Sequence, residues 1–266
     1  MSGYFFCVNN KLISLFGFPQ SVGGDFVCNG NYLTELAGCP EYIIGDFVCS
    51  GNKLTSLLDC PKHIGDDFKC GSNDLTSLEY CPESVGGDFE CSYNKLSSLF
   101  GCPKNIGRNF NCNNNELYSL EYCPVNIGVG FDCSRNKLKS LVGCPDKINE
   151  NFSCFSSGLV NLNGCPKDVG GDFKCYSNDL ISLVGCPEKV GGNFDCSYNN
   201  LISLEFCIKD IGGDFDCNTN DLKEEEWFLY NCTPEQICMY YSNKSLNEKL
   251  SSDLSEKGKV GIKKKL

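Results

Sequence analysis

Thiols are the most abundant reactive groups in this chain of 266 residues, with 22 cysteines against a single histidine and a single tryptophan. A thiol can ligate a metal, pair as a disulfide, attack as a thiolate, or fill space as a small apolar group. Spacing selects among these. Cysteines stand at 7, 28, 49, 70, 91, 112, 133, 154, 175, 196 and 217, and again at 39, 60, 81, 102, 123, 144, 165, 186 and 207, each series advancing by 21 residues. Only Cys232 and Cys238 lie outside the two series. Structural metal sites use close pairs such as Cys-x-x-Cys, which the chain lacks, and do not normally recur at every repeat. The two series lie 11 residues apart, so a disulfide inside each repeat is the main rival to a reduced core. Met1–Phe6 has no basic segment of the kind that opens a secretion signal. That favours a cytoplasmic, reducing compartment, with the cysteines as core thiols.

The remaining candidates for chemistry are weak. His63 sits in Lys62-His63-Ile64, and a Cys–His or Ser–His system would need it beside a nucleophile. The serines at 56, 77, 98, 119, 140, 182 and 203 share one repeat position, which suits backbone hydrogen bonding better than catalysis. The expectation is a protein that is not an enzyme and that carries no catalytic residue, metal or cofactor.

Charge narrows the partners. The formal net charge is −11; seven lysines and three acids between Lys244 and Leu266 make +4 there and leave −15 for the rest. An acidic body repels phosphate backbones, so nucleic acid is not an expected partner. No apolar run reaches membrane-spanning length, so no membrane is expected either. A basic protein partner fits the charge.

The cysteines belong to a longer repeated pattern. Phe stands two residues before every cysteine of the first series, from Phe5 to Phe215. Asn follows that cysteine by three in ten of eleven units, Ser157 being the exception, and Leu follows by five in all eleven, from Leu12 to Leu222. A second Leu comes three later in ten units, and Val or Ile precedes Phe by four wherever it can be seen. Phe-x-Cys is a period-two apolar pair and predicts a short strand with one buried face. Leu-x-x-Leu-x-x-Cys-Pro steps by three and predicts a turning or polyproline-like return, on which Pro, having no N–H, is at home. Asn sits where the chain leaves the strand and is expected to bond free backbone groups of the turn and of neighbouring coils. One such unit cannot bury its apolar face alone, whereas stacked units bury it continuously.

Phe89-x-Cys91-x-x-Asn94-x-Leu96-x-x-Leu99 resembles the leucine-rich-repeat consensus, with Phe and Cys at the two strand leucines. The 21-residue length and the Leu-x-x-Cys-Pro-x-x-Val return are similar to the short subtype of secreted bacterial effectors. The Cys-Pro and Gly-Gly-Asp-Phe wording is also similar to repeats carried by bacteriophages and large viruses. The resemblance covers about residues 5 to 222. It implies a leucine-rich-repeat solenoid with parallel strands on a concave face, irregular or polyproline-like returns on a convex face, and a protein-binding role, directed at a host protein if effector-like or viral. The ubiquitin-ligase domain that some effectors add is not expected here, since only about 40 residues of this sequence follow the last coil.

Three segments are expected: a solenoid of eleven coils over 1–222, a helical cap over 223–257 and a flexible basic tail over 258–266. Thr233-Pro234 reads as a helix start, with Thr as N-cap and Pro at the first helical position. Trp227, Phe228, Ile237 and Tyr240 are expected to seal the last coil. Leu246, Leu250 and Leu254 step by four and suggest a second helix. The first coil has Phe18 where later coils have Cys, and it lacks a polar cap. A self-assembling role through that end is the alternative to a binding module.

Two surface features merit placement. The residue before Phe is Asp in many coils, including Asp25, Asp46, Asp67 and Asp88. It is expected to cap the Gly-Gly turn locally; the rival reading is a site for a basic partner or a cation. The positions after Cys are mostly small and polar, except Tyr93, Arg135, Phe155, Tyr176 and Tyr198, with Lys174 beside Cys175. Aromatic residues with arginine and lysine are the composition of interface hot spots, and these six are the candidate binding residues.

Overall fold

The computed structural model describes residues 3–263, with side chains through residue 251. Eleven two-residue strands, each starting at the repeat Phe, form one parallel sheet in chain order from Phe5–Phe6 to Phe215–Asp216. Pairing is in register, Phe89 opposite Phe110 and Phe110 opposite Phe131. A repeat of constant length makes this register the natural one, because only then does each apolar column meet its own kind. The rings stack along the core, with centroids 5.6 Å apart for Phe89–Phe110 and 5.1 Å for Phe110–Phe131. The first-series cysteines and the two leucine columns line the same core. The second-series cysteines pack at its edge, half-buried in most coils. All 22 cysteines are free thiols.

The residue two after each first-series Cys has a positive φ in all eleven coils, from Asn9 at 56° to Thr219 at 55°. Gly30 and Gly51 fill it in two coils, where the left-handed backbone costs least. That kink delivers the following Asn into the gap between coils. Asn94 Nδ2 donates to the carbonyl of its own Cys91 at 3.1 Å and to that of Cys70 in the coil before at 3.1 Å. Its Oδ1 accepts from the N–H of Leu75 at 3.0 Å. The same set recurs from Asn31 to Asn220, so the expected Asn role is seen. Ser157, the exception, offers a shorter reach, with its Oγ 3.4 Å from the carbonyl of Cys133.

Leu-x-x-Leu-x-x-Cys-Pro carries no strand. The repeated serines accept the N–H two residues on, as Ser77 does from Glu79 at 3.0 Å. Beyond the sequence reading, the return regains order just after Pro. Two-residue parallel strands ending at the repeat Val or Ile form three further sheets of three strands. At the next residue the coils approach so closely that a Cβ on Gly107 would strike the carbonyl oxygen of Gly86. Glycine is favoured there by proximity rather than by its φ, although Ile44 and Asn149 hold the same position in two coils.

The C-terminal end closes with a 3-10 helix, Glu224–Asn231, and one helix, α1, Pro234–Lys263. Thr233 and Gln236 cap α1 reciprocally: Thr233 N–H donates to Gln236 Oε1 at 2.8 Å, and Gln236 N–H points at Thr233 Oγ1. Leu229, Ile237 and Tyr241 are buried on the last coil, whereas Trp227 and Phe228 are about half exposed. The seal therefore uses only part of the expected set. Trp227 contributes by donating Nε1–H to the carbonyl of Leu222 at 2.9 Å. Tyr241 Oη accepts from Leu204 N–H at 3.1 Å and donates to Glu226 Oε2 at 2.7 Å. Lys244 completes the knot on Glu226 at 2.8 Å. The expected second helix is the continuation of α1. The helix also runs through 258–263, where the sequence suggests a flexible tail; the Leu254 side chain and residues 264–266 lie outside the described residues. At the other end Phe18 fills the missing cysteine position, its ring edge-on to Phe26 at 5.3 Å.

Candidate binding face

The outward face of the long sheet is lined by the residues that flank each Phe. The column before Phe forms a ladder between coils. Asp46 Oδ1 accepts from the N–H of Asp67 at 2.9 Å, Asp67 from Asp88 at 2.8 Å and Asp88 from Asn109 at 2.9 Å. This corrects the local-cap expectation: each of these side chains accepts from the next coil's backbone N–H, which stacking brings within hydrogen-bonding reach. Gly130, with no side chain, interrupts the ladder, which resumes from Asn151 to Asp172 at 2.8 Å.

Carboxylate oxygens of Asp46, Asp66 and Asp67 lie within 4.8 Å of one another. Arg108 Nη2 already answers this cluster, donating to Asp66 at 3.0 Å and to Asp67 at 2.7 Å, while Lys69 bonds Asp67 at 2.9 Å. Burial pushes the Asp46 carboxyl above its ordinary value, and the neighbouring acids add to the rise. Burial also opposes ionisation of Asp67, but the N–H of Asp88, Lys69 and Arg108 outweigh it and hold that carboxyl below its ordinary value. The column after Phe carries acids in the second half, where Asp132 and Asp195 are occupied by Ser134 and Ser197 at 2.9 and 3.0 Å.

Of the six candidate residues, three come together. Arg135 lies over the Phe155 ring, 5.7 Å from its centroid. Phe155 stacks on Tyr176 with centroids 4.5 Å apart and planes 7° from parallel. The three belong to coils seven, eight and nine, so stacking brings residues more than 40 positions apart into one cation–ring–ring pile. Phe155 and Tyr176 are half-buried by this contact, and Arg135 is exposed. Lys174 stands beside the pile and pairs with Asp172 at 3.5 Å. Tyr198 is exposed in coil ten, and Tyr93 is exposed two coils before Arg135. Tyr93, Arg135 and Tyr198 all occupy the left-handed position, with φ between 52° and 53°. A bulky residue there costs about 1 kcal/mol or more. The sequence showed the residue types, but only the stacking of coils shows which of them touch.

Fold and face together define a leucine-rich-repeat solenoid. The architecture is similar to that of YopM from Yersinia enterocolitica WA-314, with a TM-score of 0.60 and 23% identity, covering 80% of this chain and 50% of that one. This chain thus spans about half the length of the protein it resembles. No family model matches the chain, and no curated protein matches it. No helix among the described residues is long and apolar enough to cross a membrane.

Proposed function

We propose that this solenoid is a protein-binding module in which coils seven to ten of the outward sheet face carry the partner's anchor. The observation that supports it is the Arg135–Phe155–Tyr176 pile. Rigid, partly desolvated aromatic groups with an arginine are what binding hot spots are made of. Tyr93 and Tyr198 extend the patch, and Lys174 edges it. Three of these residues tolerate a left-handed backbone that glycine would adopt more cheaply, which fits selection for the side chain rather than for stability.

The partner surface is read as basic. Asp132, Asp172 and Asp195 belong to the same coils as the patch, and a complementary potential speeds encounter and rejects acidic partners. The setting is read as a reducing, cytoplasmic compartment, because a core built from free thiols is kept intact there. Whether the partner belongs to a host, as the resemblance in repeat wording implies, is part of the same reading. Catalysis is not part of it.

The test is partner capture from candidate host lysates, comparing wild type with the double substitution Phe155→Ala, Tyr176→Ala. The double variant should keep its circular dichroism and lose its specific partner. A variant that folds normally and retains the same proteins removes this patch as the anchor.

A further inference from the structure

The turn between the second Leu and the second Cys carries an exposed apolar edge that the binding face does not use. It appears in two forms. In coils one, five, seven and nine a large apolar residue precedes Gly: Phe16, Phe100, Val142 and Val184 are 74, 50, 61 and 44% exposed. In coils four, six and ten the order changes, and Glu precedes an aromatic: Tyr80, Tyr122 and Phe206 are 59, 54 and 52% exposed. Coil three has Leu58-Asp59, with Leu58 52% exposed. Equivalent residues of successive coils stand about 4.8 Å apart, so the edge runs roughly 43 Å. Neighbours on it touch, the Phe100 and Tyr122 rings meeting edge-on at 5.5 Å. Isolated apolar residues on a surface need no account, but a contiguous stripe, as over coils three to seven, marks a contact surface. Asp59, Glu79, Glu121 and Glu205 punctuate it, and no Lys or Arg occupies either turn position.

The second feature is the exposed distal part of α1. The first turns of the helix pack on the last coil through Ile237 and Tyr241. Past Lys244 every described side chain, from Ser245 to Ser251, is exposed. Leu246 and Leu250 are 56 and 51% exposed, one turn apart on one side of the helix. From Lys244 the chain carries the +4 excess that opposes the −15 of the body. The helix beyond Lys244 is roughly 28 Å long at 1.5 Å per residue, which matches about six coils of the edge. Leu246 and Leu250 lie about 6 Å apart along the helix axis, against about 4.8 Å between coils.

We infer that the distal part of α1 docks on the apolar, acid-punctuated edge of a second copy of this chain. Leu246 and Leu250 would lie along the Phe100–Tyr122 region, where Glu79 and Glu121 suit the net positive charge that the sequence carries from Lys244 onward. The complementary surfaces belong to different parts of the chain, so two copies exchanging helices reciprocally form a closed dimer, and unreciprocated exchange builds longer chains. This inference does not rest on the binding face above, since the two surfaces share no residue.

Sedimentation velocity on the full chain over a concentration series tests it. The wild type should self-associate reversibly and dissociate as salt is raised, because exposed opposite charges are screened. The double substitution Leu246→Asp, Leu250→Asp should weaken association about a hundredfold, and Phe100→Ser with Tyr122→Ser should do the same from the other side. Neither pair touches the buried core, and circular dichroism should match the wild type. A photo-crosslinking phenylalanine analogue in place of Leu246 should label turn peptides of coils three to seven in the second copy. A wild type that stays monomeric at its highest soluble concentration overturns the inference. So does an oligomer that both pairs of substitutions leave intact, or a crosslink to vesicles of anionic lipid in place of the second copy.

Discussion

Asn115 Nδ2 reaches back 24 residues to the carbonyl oxygen of Cys91, at 3.0 Å. The same amide nitrogen lies 3.1 Å from the carbonyl of Cys112 in its own coil, and Oδ1 accepts from Leu96 N–H at 3.0 Å. One side chain thereby ties two coils together where the main-chain ladder leaves the strand. Because the contact recurs along the solenoid, it joins each coil to its neighbour alongside the phenylalanine stack.

Replacing that amide shows its worth. Asn115→Ala leaves the buried N–H of Leu96 without its partner and takes one of two amide donors from each of the Cys91 and Cys112 carbonyls, which keep Asn94 and Asn136, and stability should fall by about 2 kcal/mol. Ser157→Asn should act in the opposite direction by about 1 kcal/mol, restoring the full reach in the one coil that lacks it. Thermal melts of the two variants beside wild type check both signs.

The left-handed position after each first-series Cys gives a second expectation. At Tyr198, with φ of 52°, glycine relieves the backbone and a β-branched residue aggravates it. Tyr198→Gly and Tyr198→Val should therefore differ in stability by about 1–2 kcal/mol in favour of glycine. Equal melting temperatures would show that the kink is not strained.

The thiols should be chemically quiet in the folded protein. Burial pushes Cys186 and Cys217 up to about 12 and lifts deeper thiols such as Cys49, Cys70 and Cys91 further. Alkylation of the native protein near neutral pH should leave the first-series thiols from Cys28 to Cys196 unmodified. Denaturation without reductant should expose all 22 to the reagent. A large unlabelled fraction after denaturation would show that the cysteines are paired in the isolated protein.

The cap carries a pH dependence through Glu226. Burial opposes its ionisation, but hydrogen bonds from Lys244 and Tyr241 outweigh burial and hold the carboxyl below its ordinary value. A lowered folded-state value means stabilisation that is present above the ordinary carboxylate range and lost as pH falls through the lowered value. Glu226→Gln should therefore lower the melting temperature near about pH 7 and approach wild type near about pH 3. A constant difference across that range would assign the effect to shape rather than charge.

Much of this molecule was readable from residue types. Phe-x-Cys named the strands, Asn named the inter-coil clamp, and Thr233-Pro234 named the start of α1, because each is a local signal repeated or placed at a chain reversal. Three things were not readable. The aspartates before Phe serve the next coil's N–H rather than their own turn, which depends on a distance across coils. Arg108 reaches Asp66 and Asp67 from two coils away. Arg135 stands at a different offset from its cysteine than Phe155 and Tyr176 do from theirs, so no single repeat position marks the three as a group.

The constant 21-residue period alone determined that like residues stack on like, since any other register would expose the apolar columns to water and break the amide clamps. Only the stacked structure decided which surface residues are neighbours. Residues one repeat apart come within about 5 Å once coils lie side by side, and whether two side chains then meet depends on their reach across that gap.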